Sequence, residues 1–101
     1  MGFFSKLFGP KVDWADLIKN QNAKIVDVRT PAEYKSGHIK GSVNIPLNTL
    51  PSSTKKLKNT EPIVLCCASG MRSSQAVSML KAQGFTNVYN GGGWHSLNRH
   101  V

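Results

Sequence analysis

Apolar and polar residues alternate along this chain in short blocks rather than long stripes. Lys24-Ile25-Val26-Asp27-Val28 is a brief β-branched run of the kind that makes a buried strand, and Ser42-Val43-Asn44-Ile45, closed by Pro46, reads as a second. Pro62-Ile63-Val64-Leu65-Cys66 is the clearest central strand, and Asn87-Val88-Tyr89 makes a last short one. Helical signals fall between them. Asp13 can cap a helix over Trp14 to Lys19, since its side-chain oxygen can accept an orphan N–H of the first turn. Thr30-Pro31-Ala32-Glu33 supplies a capping Thr, a Pro at the first helical position and a Glu three residues after the cap, which predicts a short helix running toward Gly37. Ser74 to Gln83 places Ala76, Val77 and Leu80 on one face and stops at Gly84. The segment 47–60 scatters Leu47, Leu50 and Leu57 among Ser, Thr and Lys and reads as a helix or an irregular loop. Gly91-Gly92-Gly93 and a tail with Trp94 and Leu97 close the chain.

Strands separated by helical segments need crossover connections. The expected fold class is therefore α/β, with a mostly parallel sheet flanked by helices on both faces. At 101 residues, 40% of them hydrophobic, the chain is long enough for one core and too short for two ordinary domains. Residues 11–101 are expected to form that domain and residues 1–10 an appendage, with Gly9-Pro10 at the junction. Phe3, Phe4, Leu7 and Phe8 with Lys6 would make only a short amphipathic anchor, so fraying or docking on the domain is expected rather than membrane contact. No stretch reaches the roughly 20 apolar residues that span a bilayer, the start has no secretory cleavage pattern, and Lys6 stands where a myristoylation signal wants Ser or Thr. A cytoplasmic location follows as the expectation.

The formal charge of +8 makes the surface attractive to small anions. It does not make a nucleic-acid site. Only Lys55-Lys56-x-Lys58 clusters, and no aromatic residue is interleaved there to stack on bases. The two cysteines, Cys66 and Cys67, are neighbours, so a bond between them closes no loop that would restrain the unfolded chain. Metal is a poor reading, because there is no C-x-x-C pair and His38, His95 and His100 lack ligand spacing to the cysteines. A reactive thiol is the reading left to test, against two small buried hydrophobes.

In open α/β sheets ligands bind beyond the carboxyl ends of the strands, and Cys67 stands where the central strand ends and a helix is about to begin. The segment Ala68-Ser69-Gly70-Met71-Arg72 is short and contains a glycine, so it can curl with several N–H groups inward and form an anion nest at a helix N-terminus. Such a nest lowers a thiol pKa, and the thiolate is the nucleophile. Arg72 adds a fixed positive charge on the same segment unless its side chain turns outward.

With Asp27-Val28-Arg29, Pro31-Ala32-Glu33-Tyr34, the run Gly37 to Pro46, Cys67-x-x-Gly70-x-Arg72-Ser73 and Gly91-Gly92-Gly93-Trp94, the chain resembles the rhodanese-like sulfurtransferases over nearly all of residues 12–97. The resemblance implies a ping-pong reaction without a cofactor. Cys67 takes a sulfane sulfur from thiosulfate or a similar donor, holds it as a persulfide, and passes it to cyanide, a thiol or a sulfur-relay protein, with Ala68 to Arg72 cradling the sulfur. Two rivals remain. One is a non-catalytic binding module on the same fold. The other is a cysteine-dependent phosphatase counted from Cys66, since Cys66-x5-Arg72 has the longer phosphate-sized spacing; arsenate reduction would need a similarly large loop. Gly70 three residues after Cys67 favours the smaller cradle.

Asp27 and Arg29 can orient the loop or bind substrate, or they form a structural ion pair. His38 reads as a structural hydrogen-bonding residue, Glu33 as a cap, and Trp94 as a core or rim aromatic. Cys66 could resolve the persulfide through a strained adjacent disulfide. The alternative is an inert thiol facing away, because strand neighbours point to opposite faces.

Overall fold

The computed structural model describes residues 12–101; the expectations for residues 1–10 lie outside them. Four strands, β1 (Lys24–Asp27), β2 (Val43–Asn44), β3 (Ile63–Cys67) and β4 (Val88–Gly93), form one sheet in the order β2-β1-β3-β4 with every pairing parallel. Helices α1 (Trp14–Lys19), α2 (Pro31–Lys35), α3 (Met71–Ala82) and α4 (Trp94–Asn98) surround it. The fold is α/β, as its sequence pattern predicts.

Local chemistry explains several element ends. Asp13 caps α1 by accepting the Asp16 N–H, and the Thr30/Glu33 capping box closes reciprocally at the start of α2 with Pro31 at its first position. Gly84 ends the α3 segment with a φ of +98°, a backbone conformation open to glycine. The segment 47–60 holds two 3₁₀ turns, Leu50–Ser52 and Thr54–Lys56, which exist to bury Leu50 and Leu57 rather than to continue a helix.

Some expected boundaries move. α3 begins at Met71, so the loop after β3 is only Ala68-Ser69-Gly70 and both Met71 and Arg72 belong to the helix. β4 runs on through all three glycines, pairing Cys66 with Gly92 and Cys67 with Gly93 after a register shift beyond Leu65. Glycines offer no hydrophobic alternation to read, which is why the pattern stops at Tyr89. A side chain at Gly93 would place Cβ 2.9 Å from the Ala68 carbonyl oxygen, so bare backbone is required where β4 passes the loop.

The sheet has a core on each face. Val26, Val28, Leu65 and Cys67 pack with Ala76 and Leu80 of α3 and with Leu50 and Leu57. Ile25, Val64 and Cys66 pack on the other side with Leu17 of α1, Ile39 and Leu97 of α4. Period-two alternation along β3 therefore sends the adjacent thiols to opposite faces.

Candidate active site

Cys67, expected just past the end of the central strand, is instead the last residue of β3 and is fully buried. The next two residues, Ala68 and Ser69, are exposed. The sulfur thus lies just beneath a three-residue rim. Gly70, at the N-cap of α3 with φ +101°, turns the rim so that its own N–H donates to Cys67 Sγ at 3.0 Å. The Ser73 N–H, from the first turn of α3, points at the same sulfur at 3.4 Å, and the Ser73 hydroxyl lies 3.5 Å from it.

These groups set the ionisation of the thiol. Burial pushes the Cys67 pKa up, but hydrogen bonds from the Ser73 hydroxyl and amide and from the Gly70 and Ser69 amides outweigh it, and the thiol is held below its ordinary value. Ser73, which the sequence motif includes without a role, and Asn90, which it does not include, complete the site. The Ser73 hydroxyl donates to Asn90 Oδ1 at 2.6 Å; Asn90 Oδ1 also accepts the Gly92 N–H at 2.9 Å, and Asn90 Nδ2 donates to the Gly70 carbonyl at 3.2 Å. A hydroxyl has one proton. While Cys67 is protonated its S–H can face the Ser73 oxygen, and once the sulfur ionises the Ser73 proton can turn from Asn90 to the sulfur. A signal for Ser73 was present, because 73, 76 and 80 share the apolar face of α3 and a buried serine there needs a partner.

Arg72 does not face the thiolate as expected. Its guanidinium makes a two-pronged pair with Glu33, at 2.7 and 3.1 Å. The Glu33 carboxyl is drawn down to about 2, chiefly by Arg72 and then by the Thr30 backbone N–H. One carboxylate thus both caps α2 and anchors the start of α3. The expected shift in Cys67 reactivity on losing Arg72 shrinks accordingly. In iodoacetamide alkylation followed against pH, Ser73→Ala is expected to move the midpoint upward, toward an ordinary thiol, and by more than Arg72→Ala does.

Asp27 and Arg29 pair with each other beneath the sheet edge. Arg29 reaches Asp27 through Nε and Nη2, with the closest approach 2.7 Å, and donates further to the Gly37 carbonyl at 2.7 Å and the Glu33 carbonyl at 3.2 Å. Its guanidinium carbon also sits 4.7 Å from the centroid of the half-buried Trp94 ring. Four of its five N–H groups are thereby engaged within the protein. His38 Nδ1 lies 2.7 Å from the Tyr34 carbonyl and its ring stacks on Tyr34, 3.8 Å between centroids.

Cys66 is buried on the α1/α4 face, and burial, with the Asp27 charge adding to it, pushes its thiol up to about 12. That overturns the phosphatase register, because the sulfur counted as its nucleophile faces away from Arg72 and resists ionisation. Two surface clefts, of about 320 and 310 Å³, are lined by Val12, Asp13, Trp14 and His100 in one case and by residues around Lys24, Lys40 and Val101 in the other. Neither of these two clefts includes a residue of 67–73.

A parallel α/β sheet whose central strand ends in a cysteine, with amides of the following helix start turned to its sulfur, is the arrangement that the comparisons with known proteins meet. The family model for the rhodanese-like domain matches residues 12–100, and the chain belongs to that family. It is 35% identical over 87 residues to the thiosulfate sulfurtransferase GlpE of Stutzerimonas stutzeri, covering 86% of this chain and 80% of that one. It is 37% identical to the uncharacterized protein YqhL of Bacillus subtilis over 69% of this chain, but spans only 56% of that protein. Against a tRNA uridine(34) hydroxylase of Buchnera aphidicola, 34% identical over 76% of this chain, it spans 27%. Among solved structures, a rhodanese-related protein from Thermoplasma volcanium superposes with a TM-score of 0.71 at 34% identity, covering 88% of this chain and 90% of that one. These relatives support a sulfur-transfer role of the rhodanese type.

Proposed function

We propose that the chain is a sulfurtransferase that carries sulfane sulfur as a persulfide on Cys67. The carrying observation is the aim of the Gly70 and Ser73 N–H groups at Cys67 Sγ, 3.0 and 3.4 Å away, at the start of a 12-residue helix. In the first half-reaction the thiolate attacks the outer sulfur of a donor such as thiosulfate, and the donor's S–S electron pair leaves with the rest of the donor. In the second, cyanide, a small thiol or the thiol of a sulfur-relay protein takes that sulfur and the Cys67 thiolate is restored. No cofactor enters either step. Ala68, Ser69 and Gly70, with Met71 and Arg72 opening α3, form the rim through which the donor comes. Because Cys67 is fully buried, that rim has to shift as the donor enters. Among the described residues no helix is long and apolar enough to cross a membrane, and a cytoplasmic site of action is part of the proposal.

A non-catalytic module would gain nothing from donors converging on a sulfur. Incubation with thiosulfate followed by intact-mass measurement tests the reading: one sulfur should be gained and then lost on adding cyanide, and a chain that stays at its starting mass would contradict it. Cys66→Ser should discharge that sulfur at the wild-type rate, since residue 66 packs against Leu17 and Leu97 on the far face. A slowed discharge, or a 66–67 disulfide in the wild-type peptide map, would give Cys66 the resolving role denied here.

A further inference from the structure

We infer that Cys67 is suited to an organic persulfide, R–S–S⁻, more than to thiosulfate, and that Glu33 sets this preference by neutralising Arg72. The inference rests on the sulfurtransferase reading and narrows its donor. Both donors give a balanced exchange. The Cys67 thiolate bonds to the outer sulfur, and the donor's S–S bond breaks with its pair leaving on sulfite in one case and on R–S⁻ in the other. They differ in charge. Thiosulfate brings two negative charges to a thiolate and must release a dianion, whereas an organic persulfide brings one and releases a thiolate.

Arg72 is the only charged residue between 68 and 72, and both its terminal nitrogens lie on the Glu33 carboxylate, at 2.7 and 3.1 Å. Glu33 stays ionised throughout the neutral range, its carboxyl being drawn down to about 2. The neighbouring Asp27–Arg29 pair cancels in the same way, at 2.7 Å. Of the groups described at the sulfur, the one still positive is the amide array of the α3 start, roughly half a charge, and the thiolate itself exceeds that. These groups taken together are net negative once the thiol ionises, and they oppose a dianion more than a monoanion. The overall charge of +8 draws both donors to the molecule but does not discriminate at contact. Met71, 75% exposed beside the rim, offers an apolar surface that suits an organic group and has nothing to offer sulfite.

Glu33→Gln is the decisive variant, because a glutamine can still close the capping box of α2 while the charge is lost. Single-turnover loading of Cys67 would be followed by intact mass with thiosulfate and, separately, with the persulfide of 2-mercaptoethanol, whose only charge is on the terminal sulfur. The wild-type chain should load faster from the persulfide. Glu33→Gln should raise the thiosulfate-to-persulfide rate ratio about tenfold, the size expected for removing one unit charge roughly 12 Å away at an effective dielectric of about 20. Arg72→Ala, which leaves Glu33 unpaired, should lower the same ratio. A wild-type preference for thiosulfate, or a ratio that stays put in both variants because the pair is only a structural tie, would overturn the inference. Loading from neither donor would instead remove the sulfurtransferase reading beneath it.

Discussion

Cys67→Ala is expected to accept no sulfur from any donor while keeping its fold. The thiolate is the only atom in the proposed cycle that forms a bond to the transferred sulfur, and nothing near it can substitute. Cys66, one residue away, faces the opposite core and is pushed up to about 12, so its thiolate fraction near neutrality is negligible. The fold should survive because the truncation is small. Cys67 is a core residue packed with Leu65, Ala76 and Leu80, not a loop residue, and the substitution removes one buried sulfur atom. Its cost is about 1 kcal/mol, the low end for a small core truncation, which lowers the melting temperature of a domain this size by a few degrees. Cys67→Ser should lose less stability, because its hydroxyl can still accept the Gly70 N–H. Mass spectrometry after thiosulfate or persulfide treatment gives the answer. A sulfur found on Cys66 in the alanine variant, or cyanide-dischargeable sulfur in either variant, would move the nucleophile elsewhere.

How much of this could be read in advance follows from the range of each interaction. The Asp13 cap, the Thr30–Glu33 box and the Gly84 stop involve residues within a few positions of each other, and their chemistry is legible in the order of the letters. The β-branched runs at 24–28 and 62–66 were equally plain, and the cradle after β3 followed from the strand end, the glycine and the helix behind it. What stayed hidden is what the sheet brings together. Glu33 and Arg72 stand 39 residues apart, and nothing in a capping glutamate announces a second partner. Asn90 reaches Ser73 and Gly70 only because β4 lies beside β3 with its register shifted past Leu65. The burial of Cys67 was missed because the strand extends one residue further than its hydrophobic letters do. The consequence is chemical as well as topological. The sequence suggested a thiolate stabilised by inward amides with a neighbouring guanidinium added to them, whereas the structure keeps the amides, adds a serine hydroxyl and gives the guanidinium to a carboxylate.

Gly70→Val is expected to damage both stability and chemistry, and more severely than removing any one hydrogen bond to the sulfur. The residue sits at φ +101° and ψ −8°, where a β-branched side chain clashes with its own backbone. A Cβ there would also stand 3.3 Å from the Gly92 Cα, a contact with backbone rather than with the yielding end of a side chain. Those two penalties act at one atom and together cost about 3 kcal/mol, enough to lower the melting temperature of a domain this size by more than 10 °C. The chain can relieve them only by rotating the 69–70 or 70–71 peptide, and either movement disturbs the N–H now 3.0 Å from Cys67 Sγ or the carbonyl held by Asn90. The variant should therefore also need a higher pH than the wild type before Cys67 is alkylated or loaded, since a hydrogen bond that favours the thiolate has gone while the burial that opposes it remains. Gly70→Ala separates the two effects: it introduces the same Cβ without the branch, so it should fall between wild type and valine in melting temperature by circular dichroism. A valine variant that melts with the wild type and takes up sulfur at the same pH would show that the turn at Gly70 is not what holds the sulfur ionised.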